Sequence, residues 1–219
     1  MDSKFKNKLI ILVILVIIAI AFIMGIVLNK KGISVNKLSD SVSNTSLEKA
    51  KSYRMDLRIY GVYNNKGINK IIMVNNYKNT DKEITVTVDG KEEKYLIKDN
   101  KNYKIVDEKL SNIDKVPYEN TEVYLNGVNK LKNLKQGESQ SIGKDKYKVY
   151  KGEISAKDIE DILKEADLDI KADKDIEAEV WLTSDDYVYK VYYKLDNLTI
   201  YASYFGYGSM NKVNLDMYK

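Results

Sequence analysis

Hydrophobic positions fall along this 219-residue chain in three patterns: one unbroken run, a series of period-two alternations and two stripes of helical spacing. The run, Leu9–Leu28, is uncharged throughout. At about 1.5 Å of rise per residue it covers roughly 30 Å, the hydrocarbon thickness of a bilayer, and so predicts one transmembrane helix.

The alternations predict strands. Tyr53, Met55, Leu57 and Ile59 share one face while Arg54, Asp56 and Arg58 share the other. Ile68 to Tyr77 is apolar on both faces at its centre, and Ile84, Val86 and Val88 alternate with Thr85 and Thr87. Asp89-Gly90 then predicts a type I′ hairpin, in which both central residues need positive φ. Tyr95 and Ile97 follow, Asp99-Asn100 turns, and Tyr103 to Val106 returns, which makes a meander. Tyr147 and Val149 mark a strand running to Ile154. Ala178, Val180 and Leu182 open a second meander, which Ser184-Asp185-Asp186 turns into Tyr187, Tyr189, Val191 and Tyr193. Leu198 to Tyr204, the turn Gly206-Tyr207-Gly208, and a last strand through Val213, Leu215 and Met217 complete it.

Two helices are expected between these strands. Tyr124, Val128, Leu131 and Leu134 recur at helical spacing after a cap at Asn120 or Thr121, with Gly137 past the end. Ser155-Ala156-Lys157-Asp158 starts a second helix in the manner of a capping box, and Ile159, Ile162, Leu163 and Ala166 form its stripe, ending near Asp167. A weaker pattern brings Leu38, Val42, Thr45 and Lys49 onto one side before the first strand. The fold class is therefore α+β: a transmembrane helix, then a curved antiparallel sheet of about eight to ten strands with two or three helices on its concave side.

The flanks of the apolar run orient it. Lys4, Lys6 and Lys8 precede it and Lys30 and Lys31 follow, which reads as a signal anchor with a cytoplasmic amino end and an exported carboxyl-terminal domain. The competing reading is a cleaved signal peptide, because Ala19-Ile20-Ala21 has a small-x-small form; against it, residues 22–28 stay apolar. Residues 1–8 are thus the leader, 9–28 the anchor, 29–43 a polar tether able to reach about 50 Å when extended, and 44–219 the extracytoplasmic domain.

Composition excludes chemistry. The chain has no Cys and no His, so disulfides, thiolate nucleophiles, Ser-His-Asp triads and the usual zinc ligands are absent. No enzymatic activity and no cofactor or metal is expected. With 36 basic and 32 acidic residues interleaved and no basic stripe, nucleic acid is not an expected partner. Among the basic residues only Arg54 and Arg58 are arginine, and the bias toward Lys, Asn, Ile and Tyr is that of an AT-rich bacterial genome.

A helix running into Ser52-Tyr53-Arg54, a long meander, a strand ending in Tyr150-Lys151-Gly152-Glu153-Ile154, a helix, and then Glu179-Val180-Trp181-Leu182 with a hairpin resembles the LolA-like group of bacterial envelope proteins, lipoprotein carriers and mycobacterial lipid-binding lipoproteins among them. The resemblance covers roughly residues 47–219. It implies a half-open barrel whose concave apolar face holds a lipid or acyl chain under helices, with Met55, Leu57, Ile59, Ile84, Val86, Tyr147, Val149, Val180, Leu182 and Val191 as the lining. Drawing a chain of about fourteen carbons from a bilayer forfeits about 0.8 kcal/mol per CH2, near 11 kcal/mol in all. About 450 Å2 of apolar contact offsets that at roughly 25 cal/mol per Å2. The alternative function is an anchored sensor or interaction module for an envelope protein or cell-wall polymer.

Carboxylates and tyrosines supply the remaining candidates. Asp167, Asp169, Asp173, Asp175 and Glu177 cluster between helix and strand, but Lys171 and Ala172 break the calcium-loop register, so a solvated linker is expected. Asp185-Asp186 reads as a turn. Of the 18 tyrosines, most read as strand formers; Tyr201, Tyr204, Phe205 and Tyr207 beside a glycine-rich turn form a candidate sugar-binding cluster.

Overall fold

The structure, a computed structural model, describes residues 35–78, 80–165 and 168–213. The expected anchor Leu9–Leu28, the leader, the Ala21 cleavage point, and Ala166, Asp167, Leu215 and Met217 lie outside these residues. Among the described residues no helix is long and apolar enough to cross a membrane.

The strands are β1 (Tyr53–Tyr63), β2 (Lys66–Asn76), β3 (Lys82–Val88), β4 (Lys91–Lys98), β5 (Lys101–Val106), β6 (Lys109–Asn112), β7 (Lys132–Gln136), β8 (Gln140–Ile142), β9 (Asp145–Ile154), β10 (Ile176–Leu182), β11 (Val188–Leu195) and β12 (Leu198–Phe205). They pair in the order β6-β5-β4-β3-β2-β1-β12-β11-β10-β9-β7, with β8 added to β9, and every pairing is antiparallel. The two meanders expected from the sequence are joined through β1 and β12, in register from Arg54 opposite Phe205 to Gly61 opposite Leu198. The result is an open curved sheet. Helices α1 (Val35–Thr45), α2 (Leu47–Ala50), α3 (Val123–Asn126) and α4 (Ala156–Glu165), and a 3-10 turn over Gly127–Lys130, accompany it.

Three short strands add to the expected number. β6 and β8 are exposed throughout and β7 nearly so, so they carry no alternation to read. They exist because hairpins place them beside longer neighbours; Asp107 and Glu108, at φ 50 and 60, form the turn into β6 without a glycine. The Asp89-Gly90 turn has the positive φ values its type demands, and the Asp99-Asn100 turn has them too.

Three expectations are corrected. The first inserted helix is much shorter: α3 and the 3-10 turn end at Lys130, Leu131 is extended, and Leu134 lies in β7 against β9. Asn126, Gly127 and Asn129 are poor helix formers, and pairing with β9 offers the following residues a ladder instead. Neither Asn120 nor Thr121 caps it, since the capping position is Glu122, whose side chain makes no capping bond to the helix. Residues 35–43, read as tether, belong to α1, whose Leu38 and Val42 are buried. On β11 a bulge shifts the register between Trp181 and Leu182, so Val188 points inward and Tyr187 and Tyr189 do not share the face of Val191 and Tyr193. Helix α4 begins as expected: the Ser155 hydroxyl accepts from the Asp158 amide at 3.2 Å, and Ile159, Ile162 and Leu163 are buried.

Gly61 marks where the two halves meet. Its φ is 135°, and a Cβ there would collide with the Asn197 carbonyl, which accepts from the Val62 amide at 2.9 Å. Gly61→Ala is therefore expected to cost about 1–3 kcal/mol in urea unfolding; an unchanged midpoint would contradict this close approach.

Candidate functional site: the sheet and its helical cover

The inner face of the sheet is one apolar surface. Tyr53, Met55, Leu57 and Ile59 of β1 continue into Ile72 and Val74 of β2 and, on the other side, into Ile200, Ala202 and Tyr204 of β12. Helix α1 packs on β11 and the 3-10 turn, α3 reaches β11, and α4 packs on α3 and the 3-10 turn. Leu38, Val123, Leu125, Val128, Ile159 and Leu163 close the space from the helical side.

Eight of the ten expected lining residues belong to this face: Met55, Leu57, Ile59, Ile84, Val86, Val180, Leu182 and Val191. Tyr147 and Val149 do not. Val149 stands opposite Trp181, and directly paired residues share a face, so both strands turn these side chains outward while Tyr150 and Ile154 point in. Both remain buried, Tyr147 stacked on Tyr189 at 4.2 Å and tilted against Trp181 at 6.0 Å.

The expected half-open cavity is closed in this structure. Met55, Leu57, Ile59, Val180, Leu182 and Val191 are all 0 % exposed, so no void large enough for a water molecule borders them. The sheet and helices interlock as a core.

What joins cover to sheet includes polar bonds set inside that core. The Tyr204 hydroxyl donates to the Thr121 carbonyl at 3.1 Å, and the Tyr193 hydroxyl donates to the Tyr124 carbonyl at 2.9 Å. Tyr53 and Thr121 hydroxyls lie 2.8 Å apart, and Thr121 also donates to Asn76 Oδ1 at 3.5 Å. On the far side, Thr45 at the end of α1 accepts from the Val188 amide at 2.8 Å, satisfying the first residue of β11, while the Tyr207 hydroxyl donates to the Val188 carbonyl. Sequence reasoning missed this set, because Thr121 looked like a cap and the tyrosines like ordinary strand residues. Gly127 completes the fit: a Cβ there would strike the Tyr193 hydroxyl and come within 2.7 Å of Ile162 Cδ1.

The remaining candidates separate. Tyr204 points into the core, Tyr207 packs at its margin, and Tyr201 and Phe205 lie on the outer face. The Asp185-Asp186 turn is held by Thr183, whose hydroxyl accepts from the Tyr187 amide, and Asp186 pairs with Lys148 at 2.8 Å. Asp175 accepts from the Ala156 amide, and Lys174 pairs with Asp196. Among the described residues no group of three or more acidic side chains is placed to hold a metal ion.

No protein-family model and no curated protein matches the chain. Solved structures do. The chain is similar to the crystal structure of lipoprotein LppX of Mycobacterium tuberculosis, at 15% identity over 83% of this chain and 97% of that one, with a TM-score of 0.58. It is similar to LprF from Mycobacterium bovis at 11% identity over 83% and 94% of the two chains, TM-score 0.57. A LolA superfamily protein from Nitrosomonas europaea aligns over 85% and 98% at 8% identity with a TM-score of 0.32. The fold is thus the one that LppX and LprF share.

Burial raises the hydroxyl pKa values of Tyr53, Tyr193, Tyr204 and Tyr207 above the ordinary 10.0. Raised values in the folded state leave stability whole below pH 10 and remove it as pH rises through 10, where the unfolded chain ionises first. Base titration is expected to show these tyrosines ionising together with unfolding, by tyrosinate absorbance and circular dichroism; ionisation of all 18 before any loss of structure would contradict it.

Proposed function

We propose that the chain is a membrane-anchored, extracytoplasmic module that binds a lipid or acyl chain without enzymatic chemistry, taking the apolar tail between the curved sheet and its helical cover. The observation carrying this reading is the continuous apolar inner face beneath a cover built of short helical pieces, on an LppX-type fold. Charge-free Leu9–Leu28 supports the anchor, and the basic leader supports export of the domain. The closed state described above makes the cover the gate: a tail enters by replacing helix-to-sheet contact with hydrocarbon contact. Apolar burial is then largely conserved, and the tyrosine bonds to residues 121 and 124 are what opening breaks. An anchor also holds the domain within reach of one membrane, which suits transfer over a short distance.

The test uses the full-length protein in bilayers containing a phospholipid with a photoactivatable group near the end of its acyl chain. After irradiation and proteolysis, cross-links are expected at inner-face positions such as Leu57, Ile200, Val128 or Leu163. Cross-links confined to Leu9–Leu28 would overturn the reading.

A further inference from the structure

The outer face of the sheet carries a second feature, independent of the apolar interior. Register places Trp181 opposite Lys190, Lys190 opposite Ser203 and Ser203 opposite Asp56, one row across β10, β11, β12 and β1. The adjacent row sets Tyr201 opposite Arg58. Asp56, Arg58, Lys190, Tyr201 and Ser203, with Tyr189 and Phe205, line a shallow depression, and Trp181 stands beside it against Lys190. Both arginines of the chain flank Asp56 here, in a protein that otherwise uses lysine.

The side chains are incompletely matched to one another. Asp56 Oδ1 is shielded from solvent and accepts no hydrogen bond. An orphaned buried acceptor costs about 1–3 kcal/mol. Arg54 is engaged, donating to Asn75 Oδ1 at 2.8 Å and lying over Phe205. Arg58 is exposed and makes no hydrogen bond or ion pair among the described residues, which leaves its five donors to solvent. The Lys190 amine is held between two rings, 4.9 Å from the centre of Trp181 and 4.6 Å from Tyr201, rather than by a carboxylate. Glu179, whose charge acts on Lys190, is taken by Lys151 at 3.0 Å and by the Trp181 indole at 3.3 Å. Burial raises the Asp56 pKa, opposed by Arg54 and Arg58, and burial lowers that of Lys190, opposed by Glu179.

We propose that this depression binds an anionic saccharide chain. The chemistry is complementary group by group. Sugar hydroxyls donate to the half-buried Asp56 carboxylate, a ring carboxylate or phosphate accepts from Arg58 and Lys190, and the C–H face of a ring rests on the edge of Tyr201, with Trp181 sensing the ligand through Lys190. Arg54, Arg58 and Lys190 outnumber Asp56, so the local balance is positive and favours an acidic over a neutral glycan. An open face across four strands suits an extended polymer better than a compact small molecule. The site lies on the face opposite the core, so a lipid in the interior and a glycan outside do not compete for space.

Trp181 is the chain's single tryptophan, which gives the test a direct reporter. The full-length protein in nanodiscs is titrated with tetragalacturonate, maltotetraose and inorganic phosphate while Trp181 fluorescence is followed. A saturable change with tetragalacturonate, at least tenfold weaker with maltotetraose and weakened again by salt, is expected. Arg58→Gln and Lys190→Gln should each lower the affinity at least tenfold while leaving the acyl cross-links inside the domain unchanged. Absence of a saturable response, equal binding of the neutral sugar, or equal affinity in Arg58→Gln would overturn the proposal. So would a response to inorganic phosphate as strong as that to the saccharide.

Discussion

The fold depends on how residues 121–124 are held against the sheet. Tyr193 and Tyr204 send their hydroxyls from adjacent strands through the core to the Tyr124 and Thr121 carbonyls, and Tyr53 meets the Thr121 hydroxyl. Each such bond contributes only about 1 kcal/mol net. Their effect is on register: without them each buried hydroxyl and carbonyl would stand unpaired, and the cover could slide on a uniformly greasy face. Apolar area supplies most of the attraction, and the hydroxyls specify one arrangement of it.

That division of labour sets a braced sheet against a cover made of short pieces. The sheet is braced along its length by backbone ladders, whereas the cover consists of α4 and α1, of about three turns each, and fragments of one turn each. Short helices gain little from their own hydrogen bonds, so their stability is borrowed from the face they lie on. A hydrocarbon tail offers that face an equivalent surface. The outer face follows another logic, with charged groups and rings set in rows across four strands, so one sheet presents two chemically opposite surfaces.

The long alternating segments were legible in the sequence because one face of each is buried: β1, β10 and β12 read correctly residue by residue. The Asp89-Gly90 turn was legible through its need for positive φ, and Asp99-Asn100 through its turn-forming residues. Exposed strands such as β6 gave no such signal. The face of Tyr147 and Val149 was misread because both sides of β9 are covered there, and alternation cannot tell two buried faces apart. The bulge on β11 and the departure of Leu134 from a helical stripe arise from pairing partners distant in the chain. The Thr121 clamp joins residues 68 and 83 positions apart, beyond any local pattern.

The central claim is that the cover opens from a sheet that stays intact, and amide hydrogen exchange measures this most directly. Amides of α3, the 3-10 turn and α4 are expected to exchange through a local opening of lower free energy than amides of β1 and β12, and to gain protection when acyl lipid is present. Exchange of cover and sheet at one common free energy, indifferent to lipid, would show a single unbroken core and contradict the account.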